Sequence, residues 1–357
     1  MKIFLDTIGC RLNQAEIESL ARQFRQAGHE IVASAAEADL AVINTCTVTS
    51  NAASDSRAAI RRASRLGAGE VVVTGCWATL EPDKAAGLPG VRMIVPNPQK
   101  ERLAADLLGQ PQEFFDLEPL ARQPIPGLHA RTRAFIKAQD GCDNACTFCI
   151  TTLARGASRS RPVQNILADV RSALAGGVKE IVLTGVHLGS WGLDFTIPQH
   201  LTDLISTLLA QTSVPRLRLS SLEPWDLDAD FFSLWQDGRL CRHLHLPLQS
   251  GSETVLKRMA RKTTPGAFAT LLQAARDAIP QLAVTTDIIV GFPGETQAEF
   301  CETLEFIKSM NFAGGHVFTY SARPGTPAAR LRAQGPHEIR KERNAVLHAV
   351  FTEAAWN

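Results

Sequence analysis

Short apolar runs alternate with longer amphipathic stretches along the first third of the chain. Lys2 to Ile8, Ala38 to Asn44, Glu70 to Thr74 and Val91 to Val95 read as strands. Between them, Asn13 to Ala27, Ala52 to Leu66 and Pro98 to Leu108 read as helices. Crossovers of this length join parallel neighbours, so residues 1–110 are predicted to form a doubly wound α/β domain. Pro111, Pro119, Pro124 and Pro126, with Gly127, break any regular pattern over 111–133, which reads as a linker ending in the basic run His129 to Arg133. Residues 134–357 follow with six further strand-like runs: Ala134 to Gln139, Glu180 to Thr184, Arg216 to Ser220, His243 to Pro247, Ala283 to Val290 and Gly315 to Tyr320. Repeated βα units of this size predict a barrel, and six units fall short of eight-strand closure, so a partial (β/α)6 barrel is expected.

The cysteines give this frame its chemistry. Cys142, Cys146 and Cys149 stand at C-x3-C-x2-C spacing on the loop after the first barrel strand. Thiolates so spaced can hold iron, which favours soft sulfur ligands. A [4Fe-4S] cluster has four irons, so three cysteines leave one iron open to a substrate or cofactor. Structural zinc would call for paired C-x2-C knuckles and a fourth ligand, and neither follows here. A disulfide does not suit an odd trio in a chain that opens on a strand rather than a signal peptide.

A second trio lies in the first domain. Cys10, Cys46 and Cys76 each follow a predicted strand, within two residues of its carboxyl end. All strands of a parallel sheet end on one edge, where ligands bind, so the three are expected to converge. One such cysteine would read as a small buried apolar residue. Cys241 and Cys301 match no cluster motif and are read in that way.

Composition adds only bounds. With 357 residues, 45% hydrophobic and 20% charged, and a net charge of +1, the chain reads as a globular protein of two domains. No apolar run approaches the ~20 residues of a membrane span, so no membrane partner and a cytoplasmic location are expected. Arg57, Arg61, Arg62 and Arg65 form one basic cluster and Lys257, Arg258, Arg261 and Lys262 another, each either a phosphate-binding patch or a solvated helix face. His187, His243 and His245 stand at strand ends and are equally open between packing and substrate contact.

The cysteine loop, with Phe148 before its third cysteine, on a six-unit partial barrel, resembles the radical S-adenosylmethionine (SAM) enzymes. The resemblance implies that SAM binds the open iron and is cleaved to methionine and a 5′-deoxyadenosyl radical. It implies adenine contact by Phe148, the SAM amino group at Thr184 and Gly185, and Glu223, Ile289 and Gly291 beside the ribose and adenine. The earlier Asn44-Thr45-Cys46 and Gly75-Cys76 narrow the match to the methylthiotransferases, which carry a second three-cysteine cluster ahead of the barrel. Gly9 to Glu16, Leu183 to Gly189 and Ser321 to Pro327 resemble the branch that converts N6-threonylcarbamoyladenosine, beside the tRNA anticodon, to its 2-methylthio form.

By that resemblance the chain holds two [4Fe-4S] clusters and SAM, takes tRNA as substrate and needs an external electron donor. The second cluster would carry the methylthio sulfur, methylated by a second SAM. The six cysteines are then ligands, and no classical general base is named. Two departures stand out. Thr151-Thr152-Leu153 replaces the Pro and aromatic usual after the third cysteine, while Arg155 and Gly156 are kept. The family also ends in a small RNA-binding β-barrel (TRAM), whereas helix-like sequence runs here to Asn357, so either the sequence is truncated or the protein lacks that domain. The rival readings are methylthiotransferases for isopentenyladenosine in tRNA or for a ribosomal-protein aspartate, and a two-cluster electron-transfer or RNA-binding scaffold.

Overall fold

The computed structural model describes residues 1–115, 121–126 and 132–354. Pro119, Gly127 and the basic residues His129 and Arg131 lie outside them. The chain packs as two compact units: Met1–Asp143 with Ile150–Val186 and Thr207–Arg216, and Asn144–Cys149 with His187–Ser206 and Leu217–Asn357.

The first unit opens with β1 (Lys2–Thr7), α1 (Arg11–Gln26), β2 (Glu30–Val32), β3 (Leu40–Thr45), α2 (Ser50–Arg65) and β4 (Glu70–Gly75). Two short helices, α3 (Cys76–Leu80) and α4 (Pro82–Ala86), precede β5 (Val91–Val95). The five strands form one parallel sheet in the order β2-β1-β3-β4-β5. Successive strand side chains point to opposite faces, and two cores result. Ile3, Leu5, Val42 and Val72 meet Ile17, Leu20 and Phe24 of α1 on one face. Ala41, Ile43, Val71 and Val73 meet Ile60 and Ala63 of α2 and Trp77 of α3 on the other. A sheet covered on both faces is the doubly wound arrangement that the alternating runs predict.

The strands β3, β4 and β5 fall within a residue or two of the predicted runs. The three-residue β2 is too short to signal itself against the turns around it. The predicted helix from Pro98 is instead a 3-10 turn, Asn97–Arg102, leading into α5 (Leu103–Leu108).

After the linker come β6 (Arg133–Lys137), β7 (Gln139–Asp140), α6 (Thr151–Arg155), β8 (Arg159–Ser160), α7 (Val163–Ala175) and β9 (Glu180–Thr184). β6 pairs with β9 in parallel, and the short β7 and β8 pair antiparallel. Next is α8 (Leu201–Gln211).

The second unit contains β10 (Leu217–Leu219), β11 (His243–His245), α9 (Glu253–Arg258), α10 (Pro265–Ala278), β12 (Ala283–Val290), α11 (Gln297–Ser309), β13 (Gly314–Thr319) and α12 (His337–Ala354). β11, β12 and β13 form a parallel sheet in that order. No α-helix forms between β10 and β11; the chain makes 3-10 turns at Pro224–Asp226 and Phe231–Gln236. The six predicted strands β6, β9, β10, β11, β12 and β13 are all present, and no described helix is long and apolar enough to cross a membrane.

Helix α11 starts on a capping box. Thr296 Oγ1 accepts from the Glu299 amide at 3.2 Å, and Glu299 Oε2 accepts from the Thr296 amide at 2.8 Å. Arg258 of α9 grips the same carboxylate at 2.8 and 2.9 Å. Those bonds, Arg258 first, hold Glu299 at a pKa of about 2, well below an ordinary glutamate. A depressed folded-state pKa contributes stability above pH ~4.3, and that part is lost as the pH falls toward 2. Glu299→Gln is therefore expected to flatten the acid limb of the unfolding midpoint between those pH values, as read by circular dichroism. An identical acid limb would count against this bonding.

Candidate functional site

The first unit brings Cys10, Cys46 and Cys76 together. Cys10 is the N-cap of α1, Cys46 follows β3, and Cys76 is the first residue of α3 directly after β4. Gly9 explains how closely they approach. Its φ is +110°, and a Cβ there would lie 2.6 Å from Cys46 Cβ and 2.7 Å from Cys46 Sγ. Any larger residue would collide with the second cysteine, so glycine is dictated twice.

The strand-end motifs act as braces for this edge. Asn13 Nδ2 donates to Ile8 O at 2.7 Å and to Thr45 O at 3.1 Å, tying the Cys10 loop to the Cys46 loop. Ser56 Oγ accepts from the Cys46 amide at 2.9 Å and donates to its carbonyl at 3.0 Å. Thr45 Oγ1 donates to Thr74 O at 2.5 Å, and the Ala78 amide donates back to that hydroxyl at 3.2 Å. Asn97 Nδ2 reaches Cys76 Sγ at 3.5 Å and Ala154 O at 2.7 Å. Each cysteine loop is thereby fixed chiefly through its backbone, while Cys76 Sγ accepts from Asn97 and Cys10 Sγ lies 3.7 Å from Asn13 Oδ1.

Behind the thiols lies a set of buried charges. Glu16, Lys100, Lys137, Asp140 and Arg155 are all buried, Arg155 with 1% of its surface exposed. Arg155 donates to Glu16 Oε1 at 2.8 Å, Asp140 Oδ1 at 2.9 Å and Asn13 Oδ1 at 2.6 Å. Lys100 Nζ donates to Glu16 Oε2 at 2.7 Å and Asn44 Oδ1 at 3.1 Å. Lys137 Nζ pairs with Asp140 Oδ2 at 2.7 Å. Burial alone would raise both carboxyls, but the cations outweigh it. Glu16 lies well below its usual range, through Arg155, Lys100 and Lys137, and Asp140 at about 2, through Lys137 and Arg155.

The three buried cations meet the buried carboxylates of Glu16 and Asp140, and the more exposed Glu101 is a further partner of Lys137 at 3.1 Å. Desolvation by the surrounding protein raises the Cys10 thiol on balance, although the residue opens to solvent, and Arg155 pulls against it. Cys46 is pushed up to about 11 by burial first, and by the charges of Cys10 and Cys76. A cation beside Cys10 favours the thiolate form in which cysteine ligates iron. The residues fit the group expected of them.

The remaining predicted residues divide between the units. Cys142, Thr184 and Gly185 belong to the first. The Cys142 amide donates to Gly156 O at 3.1 Å, and Gly141 before it has φ +69° with no room for a Cβ, which would meet Ala157 O at 1.9 Å. Thr184 ends β9, its carbonyl accepting from the Ala138 amide at 2.8 Å, and Gly185 follows it.

Cys146, Phe148, Cys149, Glu223, Ile289 and Gly291 belong to the second unit. The Cys149 amide turns back to Cys146 O at 3.1 Å. Phe148 packs with Ile289 against Val255, Met259, Phe292 and Tyr320. Glu223 is held by Arg261 through two bonds of 3.1 and 2.6 Å, and Arg261 also reaches Cys146 Sγ at 3.8 Å and lies over the Trp225 ring. The Gly291 amide donates to Glu295 Oε2 at 2.7 Å. A cation beside Cys146 matches the donor set of the first unit.

The structure revises several readings. Lys257, Arg258 and Arg261 are paired with Glu253, Glu299 and Glu223, so they form no free basic patch. On α2, Arg61, Arg62 and Arg65 are exposed, Arg62 paired with Asp6. Cys301 is exposed and Cys241 half-buried, not buried as expected. Cys301 sits one residue off the Phe300, Thr303, Ile307 stripe that α11 buries. His187, in contrast, is partnered: Nε2 donates to Asp226 Oδ2 at 2.6 Å, leaving Nδ1 to accept from Asn144 at 3.4 Å. Sequence reasoning missed Lys100, Lys137 and Asp140. The one available signal was a lysine and an aspartate interrupting the apolar run from Ala134.

Comparison with known proteins fits this architecture. The Radical SAM superfamily matches residues 136–307, and the family described as Uncharacterized protein family UPF0004 matches residues 2–95. Among solved structures, the radical SAM methyltransferase TsrM from Kitasatospora setae superposes with a TM-score of 0.68 at 16% identity, covering 92% of this chain and 76% of that one. The cobalamin-dependent radical SAM enzyme OxsB superposes at 0.59 and 11% identity, covering 99% and 56%. At such identities the likeness is one of fold. The fold and the cysteine sets define a radical SAM enzyme with an α/β domain ahead of it.

Sequence relatives are more specific. Threonylcarbamoyladenosine tRNA methylthiotransferase MtaB of Bacillus subtilis (strain 168) is 41% identical over 98% of this chain and 80% of the relative. MtaB of Thermotoga maritima is 37% identical over 96% and 80%. The tRNA-2-methylthio-N(6)-dimethylallyladenosine synthase of Frankia casuarinae is 34% identical over 98% and 67%. The chain belongs to the radical SAM tRNA methylthiotransferase family, and is of the MtaB type.

The buried charge set yields a stability prediction. Arg155→Met leaves Glu16 and Asp140 short of their shared cation, and is expected to cost about 3–5 kcal/mol. Urea unfolding of the apoprotein measures it; a loss under about 1 kcal/mol, the value of an exposed pair, would contradict the network's role.

Proposed function

We propose that this protein transfers a methylthio group to carbon 2 of N6-threonylcarbamoyladenosine beside the tRNA anticodon, using two [4Fe-4S] clusters and SAM. The convergence of Cys10, Cys46 and Cys76 carries the reading, because a second three-thiol site ahead of a C-x3-C-x2-C loop is what separates sulfur insertion from single-cluster radical chemistry. In this reading residues 1–110 hold the sulfur-donating cluster, 111–133 link, and 134–357 hold the radical-generating one. Cys142, Cys146 and Cys149 would hold the latter.

Carbon 2 of adenine carries a C–H bond that no side chain can deprotonate at neutral pH. A reduced cluster with bound SAM supplies a carbon radical able to take that hydrogen, so the hard chemistry is the cofactor's. The chain's own residues bind and orient. Phe148, braced on Ile289, offers an apolar face to an adenine ring, Thr184 and Gly185 polar backbone to the SAM amino group, and Glu223 and Gly291 flank its ribose and base. Arg261 holds Glu223 in place beside Cys146. The alternative substrate, isopentenyladenosine, is the dimethylallyl base of the Frankia relative's name.

Anaerobic reconstitution tests the reading. Two clusters predict about eight irons per chain and release of 5′-deoxyadenosine from SAM with dithionite. Cys10→Ala is expected to drop iron to about four per chain and abolish methylthio transfer, leaving SAM cleavage measurable. Full iron in that variant would remove the second site, and absent SAM cleavage in the parent would favour a non-catalytic scaffold. Mass spectrometry of the product nucleoside then separates threonylcarbamoyladenosine from isopentenyladenosine as the base modified.

A further inference from the structure

One face of the β11-β12-β13 sheet carries a polar cluster that the reaction as described does not use. On β12, Val284, Thr286, Ile288 and Val290 are buried, while Thr285, Asp287 and Ile289 alternate with them on the other face. Register puts His245 of β11 opposite Thr285, and His316 and Phe318 of β13 opposite Asp287 and Ile289. Directly paired residues share a face, so all six stand on the same side. Gly315, pointing the other way, meets Phe351 of α12.

The polar members bond in a chain. Thr285 Oγ1 lies 3.1 Å from His243 Nε2 and 2.9 Å from His245 Nδ1. His245 Nε2 is 3.2 Å from Asp287 Oδ2, and His316 Nδ1 is 3.1 Å from Asp287 Oδ1. His245 is buried, but 66% of the His316 side chain is exposed, with its ring oriented by Asp287. Phe318, 43% exposed, stands beside it with ring centroids 6.2 Å apart. Ile289, one pleat step along β12 from Asp287, packs with Phe148 of the cysteine loop. The face therefore runs from an apolar end at the cofactor loop to an oriented, exposed imidazole.

We infer that this face binds the modified base of the substrate, with Phe318 against the ring and His316 Nε2 engaging the polar N6 substituent. The inference rests on the threonylcarbamoyladenosine reading and deepens it. A threonylcarbamoyl group brings a ureido N–H, a hydroxyl and a carboxylate. Neutral His316, donating Nδ1–H to Asp287, presents Nε2 as an acceptor for the hydroxyl; charged, it donates to the carboxylate. An isopentenyl group offers neither partner and would leave this imidazole unmatched, the type of contact by which a site rejects an analogue most strongly. His316 is on this account a specificity-determining residue.

The test uses the reconstituted full chain and an anticodon stem-loop bearing threonylcarbamoyladenosine. His316→Phe is expected to raise KM about tenfold or more while kcat falls less than threefold, the value of one lost polar contact. His316→Gln, which keeps a donor and an acceptor, should recover most of the loss. A stem-loop whose substituent is an alkylcarbamoyl group, without hydroxyl and carboxylate, should show no further penalty with His316→Phe, since the two changes remove one contact. Iron content and melting midpoint confirm that each variant is folded. An unchanged KM in His316→Phe overturns the inference alone; so does one equivalent of zinc held by the parent and lost in that variant, because His245, Asp287 and His316 would then be metal ligands, their ligand atoms lying within 4.8 Å of one another. A parent that modifies only isopentenyladenosine overturns the substrate reading itself.

Discussion

The first unit depends on one buried carboxylate. Glu16 lies on α1, just under two turns after Cys10, and receives Arg155 from α6, Lys100 from the turn after β5 and Lys137 from β6. Three segments remote in sequence are thus fastened to the helix that carries the first cysteine. Taking such groups out of water costs several kcal/mol per ion, which mutual attraction offsets only with complete hydrogen bonding. Here the bonding is dense: Asn13 and Asn44 supply the remaining partners to Arg155 and Lys100. An apolar core of the same volume would fold as well. A charged one adds something that an apolar one cannot: a fixed cation, Arg155, whose field reaches the Cys10 thiol.

That field acts against the desolvation of the sulfurs. Crowding by protein pushes Cys46 and Cys10 toward the protonated form, whereas Arg155 favours the thiolate at Cys10. The same opposition recurs in the second unit, where burial raises Cys146 and Arg261 lowers it. A buried arginine, itself fixed by a carboxylate, stands near a cysteine in both places. Glu16 and Glu223 play the same supporting part, although only Glu223 stands out in a reading of strand ends.

Much of this was legible in the residues, and the reason is period. Strands buried on both faces give continuous apolar runs, and their carboxyl ends can be read to within a residue or two; hence Cys10, Cys46 and Cys76 could be assigned to one edge before any coordinates. The charge set was not legible. Lys137 and Asp140 are single polar residues in an apolar context, and only three-dimensional packing shows that Glu16, more than a hundred residues earlier, meets Lys137 and shares Arg155 with Asp140. Basic clusters misled for the converse reason. Lys257, Arg258 and Arg261 look like a phosphate patch in sequence, because their carboxylate partners lie elsewhere in the chain or one turn away.

The polar face of β12 shows how strand alternation divides labour within a single element. Thr286 turns inward and secures the strand, its hydroxyl donating to Leu246 O at 2.7 Å and accepting from the Leu248 amide at 3.1 Å. Thr285 and Asp287, one residue to either side, turn outward and orient three histidines. A one-residue slip would exchange the two sets, burying the aspartate without a partner and exposing Ile288 and Val290. The penalty for an unpaired buried carboxylate is far larger than that for an exposed isoleucine. Register and site therefore enforce one another: the pairing that seals the core of the second unit is the same pairing that aims His316 outward.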